Sequence, residues 1–379
     1  MDFEITEEQR AILEMVRELA EKEIAPRAAG YDRSEEFPAE NIERLAELGL
    51  MGMLVPKEYG GAGLDSVTYA MVVEEVSKAC ASTGTILSVH NSLTPYIIFR
   101  YGTEEQKRKY IPPLASGRVI GSFAASEPEA GTDLGSMRTA AVLKGDHYII
   151  NGTKTFITAG PRTGISIVFA VTDPEAGHRG FSAFIVEREF KGFKVGSVFE
   201  KMGIRASETS ELIFEDMMVP KENLLGKEGE GFRIALSAID GGRIGIAAQS
   251  VGIAQAALDR SIEYSRQRVQ FGKPISRLQA IQWMISEMAT RIEASRLLTL
   301  KAAYLKDRGE DFGKHAAMAK LFSSETAVFC ADRAVQIHGG YGYMRDRDIE
   351  RLYRDARITE IYEGTSEAQK LVISSRLLR

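Results

Sequence analysis

The chain has 379 residues, with 48 Lys+Arg against 53 Asp+Glu and a formal net charge of −5. Hydrophobic residues at 44% and charged residues at 27% are ordinary globular usage, which excludes long disorder and suffices for two or three domains. The mild acidity argues against nucleic acid as a partner, and no run of about 18 apolar residues offers a membrane span. Two cysteines, Cys80 and Cys330, lie far apart and outside any metal spacing. The opening MDFEITEEQR is acidic, without the basic start of a signal peptide. Together these features point to a soluble protein of the reducing cytoplasm.

The first ~115 residues carry helical periodicity. Thr6 with Gln9 forms a capping-box pattern ahead of Ile12, Leu13, Val16 and Leu19. Asn41 to Gly49 is a short helix, Val67 to Ala81 a longer one with Glu74, Glu75 and Lys78 on its wetter side. Thr103 to Gln106 repeats the capping box before a helix expected to end near Pro112-Pro113. Near residue 120 the period changes. Lys154–Thr158, Ile165–Thr172, Phe181–Glu187, Phe193–Phe199 and Glu211–Phe214 are short β-branched or aromatic runs, and Asn151-Gly152 carries a hairpin signal. From about Gly231 the 3.6-residue period returns to the end, with Ile281, Met284, Ile285, Met288 and Ile292 on one stripe. The expected class is α+β: an N-terminal helical domain (1–118), a middle antiparallel β-domain (119–228) and a C-terminal four-helix bundle (229–379).

Dinucleotide, nucleoside-triphosphate, zinc-protease and serine-hydrolase motifs are all absent, and the five histidines show no ligand spacing. No metal is expected. Three clusters remain. Phe123 to Asp133 (FAASEPEAGTD) combines hydroxyls, small residues and Gly131, so its backbone N–H groups can approach a flat polar ligand or a phosphate. Phe156-Ile157-Thr158 sets an aromatic face beside a hydroxyl. The third cluster is spread over Arg268 to Gly272, Gln336 to Gly340 and Tyr362 to Ser366. Singly, each has a plain reading. A Glu before Gly is usually a solvated charge, Asp240 with Arg243 a local i,i+3 pair, and Gly339-Gly340 a helix stop. His90 and His338 read as packed or interfacial rather than catalytic, and Met284 with Met288 as core.

Taken in order and spacing, AIDGGRIG (238–245), QRVQFGKP (267–274) and RDARITEIYEGTSE (354–367) resemble the acyl-CoA dehydrogenase family over essentially the whole chain, closest to its short-chain, butyryl-CoA-type members. The resemblance implies FAD between the β-domain and the C-terminal bundle. Phe123, Ala125, Ser126, Thr132, Phe156, Ile157 and Thr158 would line it, with Ser126 and Thr158 bonding the ring. Arg268, Phe271, Gln279, Gln336, Ile337, Gly339 and Gly340 would serve a flavin across a subunit interface of a homotetramer built as a dimer of dimers. Thr365, Ser366 and Glu367 would contact FAD within the site. Thr132, Asp240, Arg243, Tyr362 and Gly364 match acyl-CoA contacts.

By the same resemblance Glu363 is the base that takes the α-proton while a hydride leaves the β-carbon for flavin N5, giving trans-2-enoyl-CoA. Some relatives place the base on the helix near Asp240, but Gly241 and Gly242 carry no acid here. Electrons would pass to an electron-transferring flavoprotein. Phe156 stands where Trp is frequent, and Ala159-Gly160-Pro161 departs from the usual Asn-Gly. Ile86, Leu87, Val89 and Leu93 would close the acyl pocket early, favouring a short or medium chain. An oxidase, an enoyl-CoA reductase and a flavoprotein without turnover are the alternatives.

Overall fold

The computed structural model describes residues 4–378. Met1–Phe3 and Arg379, the outer ends of the first and third expected domains, lie outside the described residues. Seven helices come first: α1 (Glu7–Leu19), α2 (Ala25–Ser34), α3 (Ala39–Glu47), α4 (Ser66–Ala79), α5 (Ala81–Leu93), α6 (Pro95–Tyr101) and α7 (Glu104–Ala115). Both capping boxes form as read: Thr6 and Gln9 bond each other's backbone N–H, as do Thr103 and Gln106. The helix from Thr103 ends at Ala115, two residues beyond its prolines and near them as expected. Pro112 and Pro113 sit inside α7, whose last turn is kept by burial of Ile111, Leu114 and Ala115. Packing outweighs the two missing donors.

Eight strands follow: β1 (Ile120–Ala124), β2 (Ala140–Lys144), β3 (His147–Thr158), β4 (Thr163–Val171), β5 (Phe181–Glu187), β6 (Phe193–Val198), β7 (Thr209–Pro220) and β8 (Leu224–Leu225). They form one sheet in the order β6-β7-β3-β2-β4-β5-β8, with β1 alongside β4. Most pairs are antiparallel, as expected; β1 and β2 meet β4 in parallel. The hairpin reading of Asn151-Gly152 is corrected. That dipeptide lies inside β3, and the β2–β3 turn falls at Gly145-Asp146, with Gly145 at φ 64°. Asn151 instead pins a bulge opposite Asp216: its amide donates to Asp216 Oδ1 at 3.1 Å, and Asp216 N–H donates back to Asn151 Oδ1 at 2.8 Å.

The C-terminal part is built on α8 (Gly231–Gln267), a small hairpin of β9 (Val269–Gln270) and β10 (Lys273–Pro274), α9 (Gln279–Asp307) and α10 (Gly313–His338). The shorter α11 (Gly340–Tyr343), α12 (Ile349–Arg357) and α13 (Ser366–Leu377) complete it. Met288 and Ile292 are buried between α8, α9 and α10, with Ile281, Met284 and Ile285 packed at the margin. Helix α8 is lined by Gly, Ala and Ser on several faces and is the common wall of the molecule. Ile244, Ala247 and Ala248 enter one core with α1–α5, while Ile234, Ala235 and Ala238 enter another with α7 and the sheet. Among the described residues no helix is long and apolar enough to cross a membrane.

Candidate active site

Between α12 and α13 a single 3-10 turn (Ile358–Glu360) gives way to a loop that cannot be helical at Glu363 (φ 53°) and Gly364 (φ 91°), which both lie in left-handed backbone. For a residue with a Cβ this costs about 1–2 kcal/mol and must be held from outside. Three groups hold it. Lys320 Nζ, on α10, donates to Gly364 O at 2.6 Å. Gln369 Nε2 donates to Gly364 O at 2.8 Å and Glu363 O at 3.2 Å. Thr365 caps α13 by accepting from Ala368 N–H. On the other flank the Tyr362 hydroxyl donates to Gln249 Oε1, whose amide nitrogen reaches Thr85 Oγ1 at 2.6 Å.

This loop lays the Glu363 carboxylate against α8 where the helix has no side chain. A Cβ on Gly242 would stand 2.7 Å from Glu363 Oε2 and 3.2 Å from Leu93 Cδ2. Oε2 is buried and accepts no hydrogen bond. Burial therefore pushes the Glu363 carboxyl up to about 7, although the positive charges of Lys320 and Arg243 pull the other way. Arg243 is itself buried, bound to Asp240 Oδ1 at 2.5 Å, and its Nε has no partner. Asp240 also faces Arg376 at 3.6 Å. The local i,i+3 ion pair read from Asp240 and Arg243 forms.

A second group of expected residues gathers on the sheet. Thr155 N–H donates to Ser126 O at 2.9 Å, tying the Phe123–Asp133 segment to β3. Beneath this link lies a buried ion pair that the sequence reading passed over. Lys154 Nζ donates to Glu127 Oε1 at 2.8 Å and Ala125 O at 3.2 Å, and Glu127 also accepts the N–H groups of Arg138 and Thr139. Phe156 stands at φ 58° in a bulge that turns its ring outward, 67% exposed and 5.1 Å from Phe199. Ile157 and Ala125 are buried, Phe123, Ser126 and Thr158 half-buried, and Thr132 exposed. Glu129 is exposed to solvent.

The remaining expected residues stand apart. Arg268, Phe271, Gln279, Gln336, Gly339 and Gly340 are exposed, Ile337 is buried, and Arg268 lies over the Tyr341 ring at 5.8 Å. The 28 residues of α8 from Asp240 to Gln267, just before Arg268, span about 40 Å, so Arg268 is far from the chain's own Glu363. Thr365 is half-buried, Glu367 exposed, and Ser366 buried with an unpartnered Oγ. His90 is a packing residue: Nε2 donates to Leu114 O, Nδ1 accepts from Gly121 N–H, and burial drives it down to about 4. His338 stacks on Tyr264 at 4.2 Å. Lys320, Gln369, Gln249, Glu127 and Lys154 were not singled out from sequence; a lone lysine within Ala316–Leu321 was the available signal for the first.

Comparison with known proteins decides the family. Models of the acyl-CoA dehydrogenase N-terminal, middle and C-terminal domains match residues 6–118, 122–217 and 229–378. The chain belongs to the acyl-CoA dehydrogenase family. It is 52% identical over 379 residues to the short-chain specific acyl-CoA dehydrogenase of Clostridium acetobutylicum, covering 100% of both chains. It is 51% identical to the acryloyl-CoA reductase (NADH) of Anaerotignum propionicum, covering 100% of this chain and 96% of the relative. Butyryl-CoA dehydrogenase from Megasphaera elsdenii superposes with TM-score 0.98 at 45% identity, covering 100% of both chains. A chain in the structure titled for the electron transferring flavoprotein of Acidaminococcus fermentans gives 0.99 at 50%, again covering 100% of both.

The protein is accordingly an FAD-dependent oxidoreductase that acts on the CH–CH bond of an acyl-CoA. Its own surface fits a flavin. The Phe156 ring is uncovered, the Ser126 and Thr158 hydroxyls make no hydrogen bond among the described residues, and Ser366 Oγ is buried without one. No group of three or more His, Cys, Asp and Glu that could hold a metal occurs among the described residues.

Proposed function

We propose that the protein dehydrogenates a short-chain acyl-CoA to the trans-2-enoyl-CoA, with Glu363 as the base. The observation that carries this is Glu363 Oε2, buried without a hydrogen bond against the bare backbone of Gly242. An α-C–H beside a thioester is a weak acid, so its removal needs a base matched to neutral pH and a donor on the thioester carbonyl. A carboxylate whose protonation falls near 7 meets the first need. The Glu363 N–H, which has no acceptor among the described residues, meets the second. FAD, held by Ser126, Thr158, Thr365, Ser366 and the Phe123 and Phe156 faces, supplies the acceptor for the β-hydride. Arg243, Asp240, Tyr362, Gly364 and Thr132 orient the thioester and its CoA arm. Leu93 and the Tyr69–Ser88 hydrogen bond, 3.0 Å between α4 and α5, close the pocket behind Glu363 and favour a short chain.

The surface of Arg268, Phe271, Gln279, Gln336, Gly339 and Gly340 belongs, in this reading, to the flavin of a neighbouring subunit in a homotetramer. The exposed Phe271 (89%) and Trp283 (63%) support a subunit contact there. Phe156, exposed on the sheet, lies where an electron-transferring flavoprotein would approach, and the Acidaminococcus structure supports that acceptor. The relative named as a reductase favours a second reading, in which the same residues run in reverse and Glu363 returns the proton. Anaerobic mixing of holoprotein with butyryl-CoA tests both: bleaching of the flavin is expected, and crotonyl-CoA should reoxidise it. Glu363→Gln should bind FAD and butyryl-CoA yet bleach at least ~10³-fold more slowly. Bleaching near the wild-type rate would place the base elsewhere.

A further inference from the structure

Lys320 is fully buried on α10, and its one hydrogen bond is to Gly364 O. No carboxylate pairs with it among the described residues, a costly state for an ammonium with three donors. Its surroundings name the compensating charge. Arg243 faces it from α8, and Glu360 and Glu367 lie towards the same loop. Glu360 is engaged by Arg357, and Glu367 is exposed. Glu363 is the remaining acid, and it too lacks a partner. The groups facing Glu363 are Lys320 from α10, Arg243 from α8, the Tyr69 hydroxyl from α4 and Tyr362 beside it. Arg243 is already neutralised by Asp240. Lys320 is not.

We propose that Lys320 is a positioning residue for the reaction: its side-chain nitrogen grips the Gly364 carbonyl, holding Glu363 left-handed over Gly242, and in its protonated form favours the ionised base. This rests on the reading of Glu363 as the base. Burial lowers Lys320 to about 8, so its charge acts across the acid limb and is largely gone at pH 9, where the hydrogen bond remains. Two functions are joined in one side chain, and two substitutions separate them. Lys320→Gln keeps an N–H donor without charge; Lys320→Met removes both.

The test uses FAD-loaded protein, measuring kcat/KM for butyryl-CoA from pH 5.5 to 9 and single-turnover flavin reduction with normal and α-deuterated substrate. Loss of the positive charge disfavours the carboxylate, so the acid limb should move up by about one pH unit in both variants. At pH 9 Lys320→Gln should reduce its flavin within about threefold of wild type. Lys320→Met should be at least ~10-fold slower, with a larger isotope effect, because the base is no longer held. An acid limb that stays in place in Lys320→Gln overturns the proposal, whether or not Lys320→Met folds. Equal rates for Met and wild type at pH 9 overturn the gripping role. Glu363→Gln separates the two levels: if it still bleaches, the base assignment fails; if it is dead while the Lys320 limbs stay put, only the present inference fails.

Discussion

Glu363→Gln should make the protein more stable while disabling it, and the gain should depend on pH. The Glu363 carboxyl titrates near 7 in the folded chain against 4.5 for a free carboxyl, because burial opposes its charge. A folded-state value above the unfolded one means that the native state keeps its proton longer. Stability from this group is intact below about pH 4.5 and is lost as pH rises to about 7, where the buried site must carry a charge. The difference of about 2.5 units, at about 1.36 kcal/mol each, gives roughly 3 kcal/mol. That is a ceiling, since Glu363 is only half-buried as a whole residue.

Gln has the same shape and cannot ionise, so the variant escapes the loss. For a chain of this length, roughly 3 kcal/mol corresponds to about 4 °C in thermal midpoint. Thermal scans of both FAD-saturated proteins at pH 5 and pH 8 read it directly. The variant should melt close to wild type at pH 5 and several degrees above it at pH 8. A gap that is the same at both pH values would refute the buried-charge argument, however inactive the variant proves.

Gly242→Ala should displace the Glu363 carboxylate, since the new Cβ falls 2.7 Å from Oε2; flavin reduction by butyryl-CoA should slow by at least ~10-fold with FAD retained. An unchanged rate would mean the carboxylate works from another position. Lys154→Met leaves Glu127 buried without its cation, though still accepting two backbone N–H groups, and should cost about 3–5 kcal/mol, with easier loss of FAD. Adding Glu127→Gln should recover part of that in denaturant titrations, and no recovery would deny the pairing. Ala159 is held at φ 56°, so Ala159→Gly should gain about 0.5–1 kcal/mol, and a lowered denaturation midpoint would count against strain there.

The Ala159 case also shows why a departure noticed in the sequence stayed unexplained there. The family's usual Asn tolerates left-handed backbone and Ala does not, but nothing in the residue order reveals the sign of φ. The Asn151-Gly152 reading failed for a related reason. A dipeptide that suits a tight turn also suits a bulge, and the cross-strand bond to Asp216 selects between them. At Pro112 and Pro113 local propensity and the structure agree: α7 ends two residues on, at Ala115.

What the sequence determined alone is whatever depends on neighbours a few residues apart. That includes the helix starts at Thr6 and Thr103, the α–β–α order, and the segments 238–245, 267–274 and 354–367 that carry the family resemblance. Tertiary structure decided the properties that depend on distant segments arriving at one place. The Glu363 carboxyl is raised to about 7 only where α8 brings the bare backbone of Gly242 against it, and α10 brings Lys320 to the Gly364 carbonyl that holds its loop. Desolvation and charge act through space over a few ångströms, and the residues supplying them lie about 40 to 120 positions away along the chain.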